Sequence, residues 1–538
     1  MYTPTRALGW AVLLALTSTV ATAFPLYTFN NDAEGRTLFP RADGNITASL
    51  QDCLQSSGGY ERAYNASSSY STLSSSYNPI FDYKPFVIAV PSTVDQVSSI
   101  VRCVAAQNGT QKLTPKSGGH SYEAYSLGGH DGSVVIDLRL LDSVSVDTAS
   151  KLATVGPGVR LGTLATQIWD QGKFALPHGT CPLVGVSGHA LGGGFGFTTR
   201  AWGFLLDRIT QIKMVDVNGT VQTVDKDTNT DLWWALRGAG SNNFGVVTEF
   251  TFSLLDGPTS TLNYAYSYKT NADCAKAIVA LQNMTLATDA EQGFEPEFGG
   301  ELLIAGEGGG DFDGNACQLS GQHIDTTQSD HDALIQRFHN KAGITSAESS
   351  VRPFDNWLSA LEDIMGSLNV TSSGVNSDHE QFYAKSLVQP SVATYDYDSG
   401  LALVEKLNSY AGLQGTGNSI SFDFLGPLSY PSANVSSDEA SFNAHGSSFV
   451  YQFYSYGFPD NSNADGQQQV WQAFDDLVET AKSSNSDAAW GAYVNYIDAR
   501  QEDWAQAYYG NGVARLKALK EVWDAKDVFW FPQGLSSA

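Results

Sequence analysis

The stretch from His178 to Phe197 reads HGTCPLVGVSGHALGGGFGF and combines one cysteine with seven glycines and two histidines. Glycine costs about 1 kcal/mol per helical position relative to alanine, so the stretch is predicted not to form an ordinary helix. Glycine lets the backbone approach a bound group closely, and exposed peptide N–H groups favour an anion such as a pyrophosphate. A simple turn is the alternative for such a loop taken alone.

A second glycine-rich loop lies upstream and supplies a partner for Cys181. Residues 115–122 read PKSGGHSY and carry His120 directly after two glycines. Alone, His120 is equally typical of a loop histidine hydrogen-bonded to backbone. Two such loops, one with an imidazole and one with a thiol, are a more specific signal than either loop alone.

These motifs, SGGHSY, HGTCPLVGVSGH and LGGGFG, resemble the berberine-bridge-enzyme-like branch of the FAD-linked oxidases, in the vanillyl-alcohol-oxidase superfamily. The resemblance implies an α+β, two-domain FAD-binding (PCMH-type) fold with an antiparallel-sheet substrate domain. It also implies FAD bonded covalently through His120 and Cys181. The other cofactor-binding residues that it implies are Lys116, Ser117, Gly118, Gly119, Ser121, Tyr122, Gly179, Thr180, Gly185, Ser187, Gly188, His189, Gly193, Gly194 and Val247.

The same resemblance places the catalytic groups. Removal of a hydride from a carbon that bears a hydroxyl requires the hydroxyl proton to be removed in step. Family carbohydrate oxidases use the tyrosine of an NYxD motif as the base, helped by an aspartate on a substrate-domain strand. Tyr496 and Asp423 match these positions, although a strand-edge carboxylate facing water is the alternative for Asp423. Because tyrosine has a pKa of about 10, a phenolate base is expected to need a cationic or strongly hydrogen-bonded setting.

The resemblance also concerns oxygen. Val184 matches the place where the family tunes oxygen access, and valine there resembles the oxygen-reactive members. Molecular oxygen is therefore the expected electron acceptor.

Metal and nicotinamide chemistry are disfavoured by the motifs. His323, His331 and His339 are eight residues apart, which fits no usual ligand pattern, and they are predicted to be solvated. No metal site is expected. The LGGGFG segment lacks the G-x-G-x-x-G register, with an acidic residue about 20 positions later, that a dinucleotide-binding strand and helix require.

Composition and the N-terminus indicate an exported globular protein. The 538 residues call for two or more domains, and a formal charge of −26 repels nucleic acid and anionic membranes. Arg6, an apolar run and the small-residue site at residues 21–23 predict a secretory signal peptide over residues 1–23. We expect a secreted, monomeric protein. Seven sequons agree with export: Asn45, Asn65, Asn108, Asn218, Asn283, Asn369 and Asn434.

Five cysteines leave one without a partner. Related secreted enzymes imply a bridge between Cys53 and Cys103, while a pairing of Cys274 with Cys317 is left open. The remaining cysteine is Cys181, which agrees with a thiol committed to the cofactor.

The chain is divided by its patterns into an N-terminal arm (24–80), an FAD-binding domain (81–256), a substrate-binding domain (257–490) and a C-terminal segment (491–538) that returns to the FAD domain. The arm is predicted to be irregular, with one short helix around Cys53. Ser92 is predicted to open a helix as the first residue of a capping box, and Leu516, Leu519 and Val522 to share a helix face.

Three functions remain in competition. The first is oxidation of the anomeric hydroxyl of a reducing-end oligosaccharide to a lactone, with oxygen reduced to hydrogen peroxide. The second is a tailoring oxidase acting on a secondary-metabolite phenol, alcohol or amine, and the third is a non-catalytic flavoprotein. Residues 415–419 carry no aromatic platform for a sugar ring, so Tyr122, Trp357 and Tyr383 are the candidates for that role.

Overall fold

The computed structural model describes residues 48–307, 314–370, 379–429 and 435–536. The predicted signal segment 1–23 and the sequon residues Asn45 and Asn434 lie outside these ranges. Within them the chain has an α+β fold built on three larger sheets of four, five and seven strands and one two-stranded ribbon.

The first sheet is small and mostly parallel. Its order is β1-β2-β4-β3, with β2 and β3 both parallel to β4 and β1 antiparallel to β2. The strands are β1 Glu61–Ala63, β2 Val87–Val90, β3 Leu113–Lys116 and β4 Val134–Asp137. The helices beside them are α1 Ala48–Ser56, α2 Tyr70–Leu73 and α3 Val94–Ala105. The arm therefore has two helices and a strand, where one helix was predicted.

Helix α3 begins one residue later than its capping pattern predicted. The Thr93 hydroxyl, and not that of Ser92, accepts the hydrogen bond from the Gln96 N–H. Thr93 takes the extended backbone conformation that a capping residue requires. Ser92 instead donates its own N–H to the Gln96 side chain at 2.7 Å.

The second sheet is antiparallel, with the order β5-β6-β10-β8-β9. Its strands are β5 Val144–Asp147, β6 Leu152–Val155, β8 Ile209–Val215, β9 Val221–Val224 and β10 Val246–Ser253. A short ribbon pairs β7 Phe174–Ala175 with β11 Leu255–Asp256. The associated helices are α4 Leu161–Gly172, α5 Val186–Leu191, α6 Thr199–Trp202 and α7 Thr230–Ala239.

The third sheet has seven antiparallel strands and lies in the region predicted to bind the substrate. Its order is β15-β12-β14-β13-β17-β18-β16. The strands are β12 Thr261–Tyr268, β13 Phe298–Ile304, β14 Cys317–Ile324, β15 Glu348–Phe354, β16 Phe382–Pro390, β17 Gly417–Phe424 and β18 Ser447–Tyr456. The helices of this region are α8 Asn271–Thr285, α9 Gln328–Ala342, α10 Trp357–Met365, α11 Tyr397–Asn408 and α12 Ala464–Ser483.

The two faces of this sheet have different partners. Alternate residues of β17, such as Phe422 and Phe424, join a core with apolar residues of α8, α9, α11 and α12. Because side chains alternate along a strand, Ser421 and Asp423 point from the opposite face. That opposite face is the one that carries the candidate site.

The prediction that the three spaced histidines are solvated was wrong for His323 and His331. His323 and His331 are fully buried in the helix-side core, with their Nδ1 atoms 3.1 Å apart. His331 Nε2 lies 3.1 Å from the Tyr266 hydroxyl, and the half-buried His339 lies 3.1 Å from that of Tyr268. Each ring thus finds a polar partner inside the core. Among the described residues, no group of three or more His, Cys, Asp and Glu side chains is arranged to hold a metal ion.

The C-terminal segment lies against the first sheet. It contains α13 Trp504–Tyr509 and α14 Val513–Trp523, after which Phe529 pairs with Leu113 in a parallel bridge. Leu516 and Leu519 are buried, but Val522 is 77% exposed, so the predicted shared face was wrong at Val522. Position 522 is turned about 120° away from position 516 at 100° per residue in a regular helix.

Both disulfides form, Cys53 with Cys103 and Cys274 with Cys317, which leaves Cys181 outside any disulfide. The first joins α1 to α3, and the second joins α8 to β14. None of the helices in the described ranges is long and apolar enough to cross a membrane.

Candidate active site

The two glycine-rich loops touch each other through their backbones. A methyl group added at Gly118 would lie 2.2 Å from the Gly185 nitrogen, and one added at Gly185 would lie 2.1 Å from the Gly118 nitrogen. Real Cβ atoms do not approach this closely, so only glycine fits at these two positions. The contact brings the segments that carry His120 and Cys181 together.

The cysteine loop, residues 178–197, is held in place by the chain that leads into α4. The N–H of Leu161 donates to the carbonyl of Val184 at 3.0 Å, and the N–H of Val186 donates to that of Val159 at 2.9 Å. Within the loop, Val186–Leu191 forms the two-turn helix α5, so the prediction of no helix was wrong for these six residues. Only one of the seven glycines, Gly188, lies inside it, and the rest lie in the turns.

His120 is held by a ring contact and has one ring nitrogen that makes no hydrogen bond to the described residues. Its ring stacks on Tyr77 with the ring centres 4.3 Å apart, and its buried Nε2 has no hydrogen-bond partner among the described residues. Burial, and then the positive charge of Arg160, lower the pKa of His120 to about 3. The imidazole is therefore neutral, with a lone pair on one nitrogen.

Three cations lie behind this loop. Lys116, Arg139 and Arg160 all interact electrostatically with Asp137, and Arg139 also interacts with Glu61. Asp137 is fully buried, 2.8 Å from Arg139 and 3.6 Å from the Lys116 ammonium, and these cations hold its pKa below the usual value. An anionic cofactor near these groups would be attracted by their positive charge.

The remaining predicted cofactor residues fall into two groups. Ser117, Ser121 and His189 support the loops: the Ser117 hydroxyl donates to Pro157 O at 2.6 Å, Ser121 accepts from Tyr125 N, and His189 Nε2 accepts from Gly179 N. Lys116 donates to Leu73 O at 2.7 Å, so its ammonium faces the arm.

The other group offers backbone or open space. Gly119, Gly193 and Gly194 take positive φ angles, which residues with a Cβ rarely adopt. Gly188 has nothing within 4 Å of a Cβ position, and Thr180 is exposed. Ser187 is buried on α5 and Val247 is buried on β10.

Tyr496 lies in a 3₁₀ turn over Val494–Tyr496, next to the histidine loop, residues 115–122. Its half-buried ring stacks in parallel on Tyr122, with ring centres 5.5 Å apart, and meets the edge of Phe195 at 5.8 Å. The Tyr122 hydroxyl in turn accepts a hydrogen bond of 2.7 Å from Gln452 of β18. Tyr122 therefore links the histidine loop, the turn and the sheet.

The last residue of the same NYID motif anchors the turn. The buried carboxylate of Asp498 lies 3.0 Å from the Lys385 ammonium and 3.2 Å from the Tyr383 hydroxyl. Lys385 also pairs with Asp475 of α12 at 2.8 Å. The turn that carries Tyr496 is thereby fixed to the edge strand of the seven-stranded sheet.

Asp423 is buried and does not face water, and a second carboxyl group lies beside it on the neighbouring strand. Glu301 of β13 lies directly across from it, and the Ser421 hydroxyl lies 2.6 Å from Glu301 and 3.1 Å from Asp423. One hydroxyl proton cannot satisfy both carboxylates, so the arrangement favours a proton on one of the two acids. Burial and the charge of Glu301 raise the pKa of Asp423 well above its usual value, and burial raises that of Glu301.

The electrostatic setting of Tyr496 differs from the expected cationic one. Burial is the main cause that raises the pKa of Tyr496 well above 10, followed by Tyr122 and by the charge of Asp423. The charged groups that act on it most strongly are thus acidic. In this structure Tyr496 is a neutral phenol beside a pair of acids.

Sequence reasoning missed Glu301, Ser421 and Gln452. Two of its three candidates for an aromatic platform lie outside the cluster around Tyr496. The missed residues lie on three strands, and their pairing depends on sheet register: Ser421 lies opposite Gln452, and Asp423 opposite Glu301. Of the aromatic platforms, Tyr122 is in the site, whereas Trp357 is buried against Trp202, and Tyr383 faces the α12 side.

The residues present fit FAD. The candidate site has, at one edge, a glycine cradle with positive φ angles, a buried imidazole nitrogen without a hydrogen-bond partner among the described residues, a cysteine outside any disulfide and a group of cations. Each of these suits a large anionic cofactor held by backbone and by two side chains.

Comparison with known proteins agrees with this geometry. Residues 85–225 match the FAD binding domain family, and residues 492–536 match the berberine and berberine-like family. A xylooligosaccharide oxidase from Thermothelomyces thermophilus is 32% identical over 508 residues, covering 91% of this chain and 95% of that protein.

Two solved structures have the same fold. A xylooligosaccharide oxidase from Myceliophthora thermophila in complex with xylobiose has a TM-score of 0.81 and 31% identity, covering 91% of this chain and 100% of that one. A glucooligosaccharide oxidase from Acremonium strictum with a 6-S-cysteinyl, 8α-N1-histidyl FAD has a TM-score of 0.81 and 28% identity, covering 91% and 99%. The chain therefore belongs to the berberine-bridge-enzyme-like family of FAD-linked oxidases.

Proposed function

We propose that the protein is an extracellular carbohydrate oxidase that converts the anomeric hydroxyl of a reducing-end oligosaccharide to a lactone and reduces oxygen to hydrogen peroxide. The observation that carries the proposal is the cluster formed by Tyr122, Tyr496 and the acid pair Glu301–Asp423, on the face of the seven-stranded sheet that lies opposite the α8, α9, α11 and α12 core. It lies beside the two loops suited to FAD. Relatives named as xylo- and glucooligosaccharide oxidases support the substrate class.

In this proposal the cofactor is FAD, bonded to His120 and Cys181. When bound, it accepts the hydride from the sugar carbon and passes the electrons to oxygen. The neutral imidazole and the thiol are placed on loops that touch at Gly118 and Gly185, which sets the spacing of the two attachment points. Two tethers leave the sheet side open for a chain of sugar rings.

Tyr496 and Asp423 remove the hydroxyl proton. A phenol with a raised pKa is a poor base alone, so Tyr496 accepts the sugar proton as it yields its own toward the neighbouring carboxylate. Burial, and then the charge of Glu301, raise the pKa of Asp423 well above its usual value, so this carboxylate is suited to hold that proton. Gln452 and Glu301 supply donors and acceptors for sugar hydroxyls, and Tyr122 supplies an apolar surface.

We also propose that residues 1–23 are removed on secretion, that the protein is a monomer and that sequons carry glycans. The described sequon residues Asn65, Asn108, Asn218, Asn283 and Asn369 are all exposed, which is compatible with glycan attachment. Mass spectrometry of the secreted protein before and after enzymatic deglycosylation gives the mature N-terminus and the occupied sites, and light scattering gives the oligomeric state.

The activity is tested by measuring peroxide release on cello-, xylo- and chito-oligosaccharides beside a panel of phenols, alcohols and amines. The proposal expects turnover on at least one reducing-end oligosaccharide and none on the same sugar after borohydride reduction, which removes the anomeric centre. Turnover confined to the phenol, alcohol or amine panel would overturn the carbohydrate assignment. A flavin-free protein without oxidase activity would exclude both enzymatic functions.

A further inference from the structure

Arg160 is a buried cation that touches both glycine-rich loops. It lies directly before α4, is 4% exposed, and pairs by its backbone with Gly185 of the cysteine loop. Its guanidinium Nη1 donates to the carbonyl of Gly118 at 3.2 Å and to that of Leu183. Gly118 is two residues before His120, and Leu183 is two residues after Cys181.

The same guanidinium acts electrostatically on both attachment residues. After burial, its charge is the second cause that lowers the pKa of His120. It also attracts a negative charge at Cys181, and Asp137, Arg139 and Lys116 are other charged groups that interact with it. Asp137 also lies 2.8 Å from Arg139 and 3.6 Å from the Lys116 ammonium.

Formation of two covalent bonds to the flavin makes two opposite demands on protonation. An imidazole attacks through the lone pair of a neutral ring, whereas a cysteine attacks as a thiolate. A nearby cation disfavours imidazolium and favours thiolate, so one charge serves both demands.

We infer that Arg160 prepares the two loops for covalent attachment of the flavin, by stabilising the Cys181 thiolate, keeping His120 neutral and holding both loops through their carbonyls. The inference rests on the proposed attachment at His120 and Cys181. Arg160 is a positioning and electrostatic residue, and it forms no bond itself.

The chemistry balances with oxygen as oxidant. In each attachment a bond would form from sulfur or nitrogen to a carbon of the flavin, a C–H bond of that carbon would break with loss of its proton, and the thiol or imidazole would lose its own proton. The two electrons left on the ring system and two protons would be taken up by molecular oxygen, the oxidant that the proposed activity uses, as hydrogen peroxide.

The test compares Arg160→Gln, which removes the charge, with Arg160→Lys, which keeps it, in purified full-length protein. The readouts are the flavin that stays with the denatured chain and the masses of the His120 and Cys181 peptides. At neutral pH we expect Cys181 attachment in Arg160→Gln to be about tenfold slower than in wild type, because loss of the nearby cation disfavours the thiolate. Incubation from pH 7 to pH 9 with oxygen is expected to restore it.

Arg200→Gln is the matched control. Arg200 is also a buried arginine, and it donates to the carbonyls of Phe298 and Phe294 at 2.9 and 2.8 Å. These acceptors belong to neither of the two glycine-rich loops that Arg160 contacts. Its variant is expected to lose stability but to keep both flavin bonds at the wild-type extent.

The outcomes separate cleanly. Attachment in Arg160→Gln at the wild-type rate, or slow attachment that pH does not restore, overturns the inference. Should Arg160→Gln be insoluble, a folded Arg160→Lys protein decides, because its retained charge must give the pH dependence of wild type. A wild-type chain in which either peptide is unmodified overturns the proposed attachment instead.

Discussion

The cofactor loops and the sheet face solve different problems with different residue types. The loops around His120 and Cys181 work through backbone, with glycines at contacts such as Gly118–Gly185 that no side chain fits. The sheet face works through side chains, with Glu301, Ser421 and Asp423 meeting across paired strands. The loops therefore leave a compact signature in the sequence, whereas on the sheet face only Asp423 was matched and its partners Glu301 and Ser421 were not.

The difference also appears in the charge of the two regions. Behind the histidine loop, the cations Lys116, Arg139 and Arg160 lie around the buried carboxylate Asp137. On the sheet, two acids share one hydroxyl. An anionic cofactor suits the first setting, and abstraction of a proton suits the second, so a variant in one region should spare the function of the other.

The largest effect is expected from Tyr496→Phe, which removes a single hydroxyl on the sheet side. Loss of a general base typically costs a factor of about 10²–10⁴ in rate. Turnover measured by peroxide release should fall by that factor, while the yellow colour should stay with the denatured chain. Near-normal turnover would remove Tyr496 as the base, and loss of colour would break the separation between the two regions.

Sequence motifs were sufficient for the loops and the tail. Positions such as Gly185 and Gly194 are restricted by backbone contacts and φ angles, and such restrictions are visible in residue type. The Cys53–Cys103 bridge followed from the family resemblance, whereas the pairing of Cys274 with Cys317 was left open by the sequence. The acid pair could not be predicted, because Glu301 and Asp423 meet only through the register of β13 with β17, more than 100 residues apart in the chain.

The two buried histidines and Val522 show another limit. Burial depends on which face of an element finds a partner, and residue type alone does not fix that. His323 and His331 are buried because each has a polar partner within the core. Val522 is apolar but lies where α14 meets solvent.

Two glycine variants test whether the loops depend on their close backbone contact. Gly185→Ala places a Cβ 2.1 Å from the Gly118 nitrogen, so the loops must separate, and we expect a large loss of stability and of covalent flavin. Gly188→Ala meets no protein atom within 4 Å and lies in α5, where alanine favours the helix.

The Gly188 variant is therefore expected to keep its melting temperature, and any loss of flavin from it reports the cofactor alone. The measurements are thermal unfolding and absorbance of the denatured chain. Equal melting temperatures for the two variants would show that the Gly118–Gly185 contact is not needed.

The acid pair is tested by the pH dependence of turnover at saturating sugar. A reaction that needs ionised Asp423 loses rate as the pH falls through the pKa of that group. The charge of Glu301 raises that pKa, so Glu301→Gln should move the acid limb to lower pH. The Ser421 hydrogen bond lowers it, so Ser421→Ala should move the limb to higher pH. Shifts in the same direction for both variants would contradict the shared-proton arrangement.

The smallest effect is expected where the two regions join, at Glu123. This buried carboxyl follows Tyr122 on the histidine loop and accepts a backbone hydrogen bond from Ala499, beyond the Tyr496 turn. Burial, and then the charge of Asp498, raise the pKa of Glu123 from 4.5 to about 8. The folded state thus holds a proton that the unfolded state releases above pH 4.5, so this group lowers stability as the pH rises toward 8.

Glu123→Gln keeps an acceptor for Ala499 but cannot ionise. The melting temperature of the variant relative to wild type should therefore increase from pH 5 to pH 8 and then level off. Turnover and flavin content should change little, because Glu123 reaches neither the loops' attachment points nor the acid pair on the sheet. A difference in melting temperature that is constant with pH would mean that Glu123 is already ionised in the folded protein. The fold would then tolerate the buried negative charges of Glu123 and Asp498 near each other.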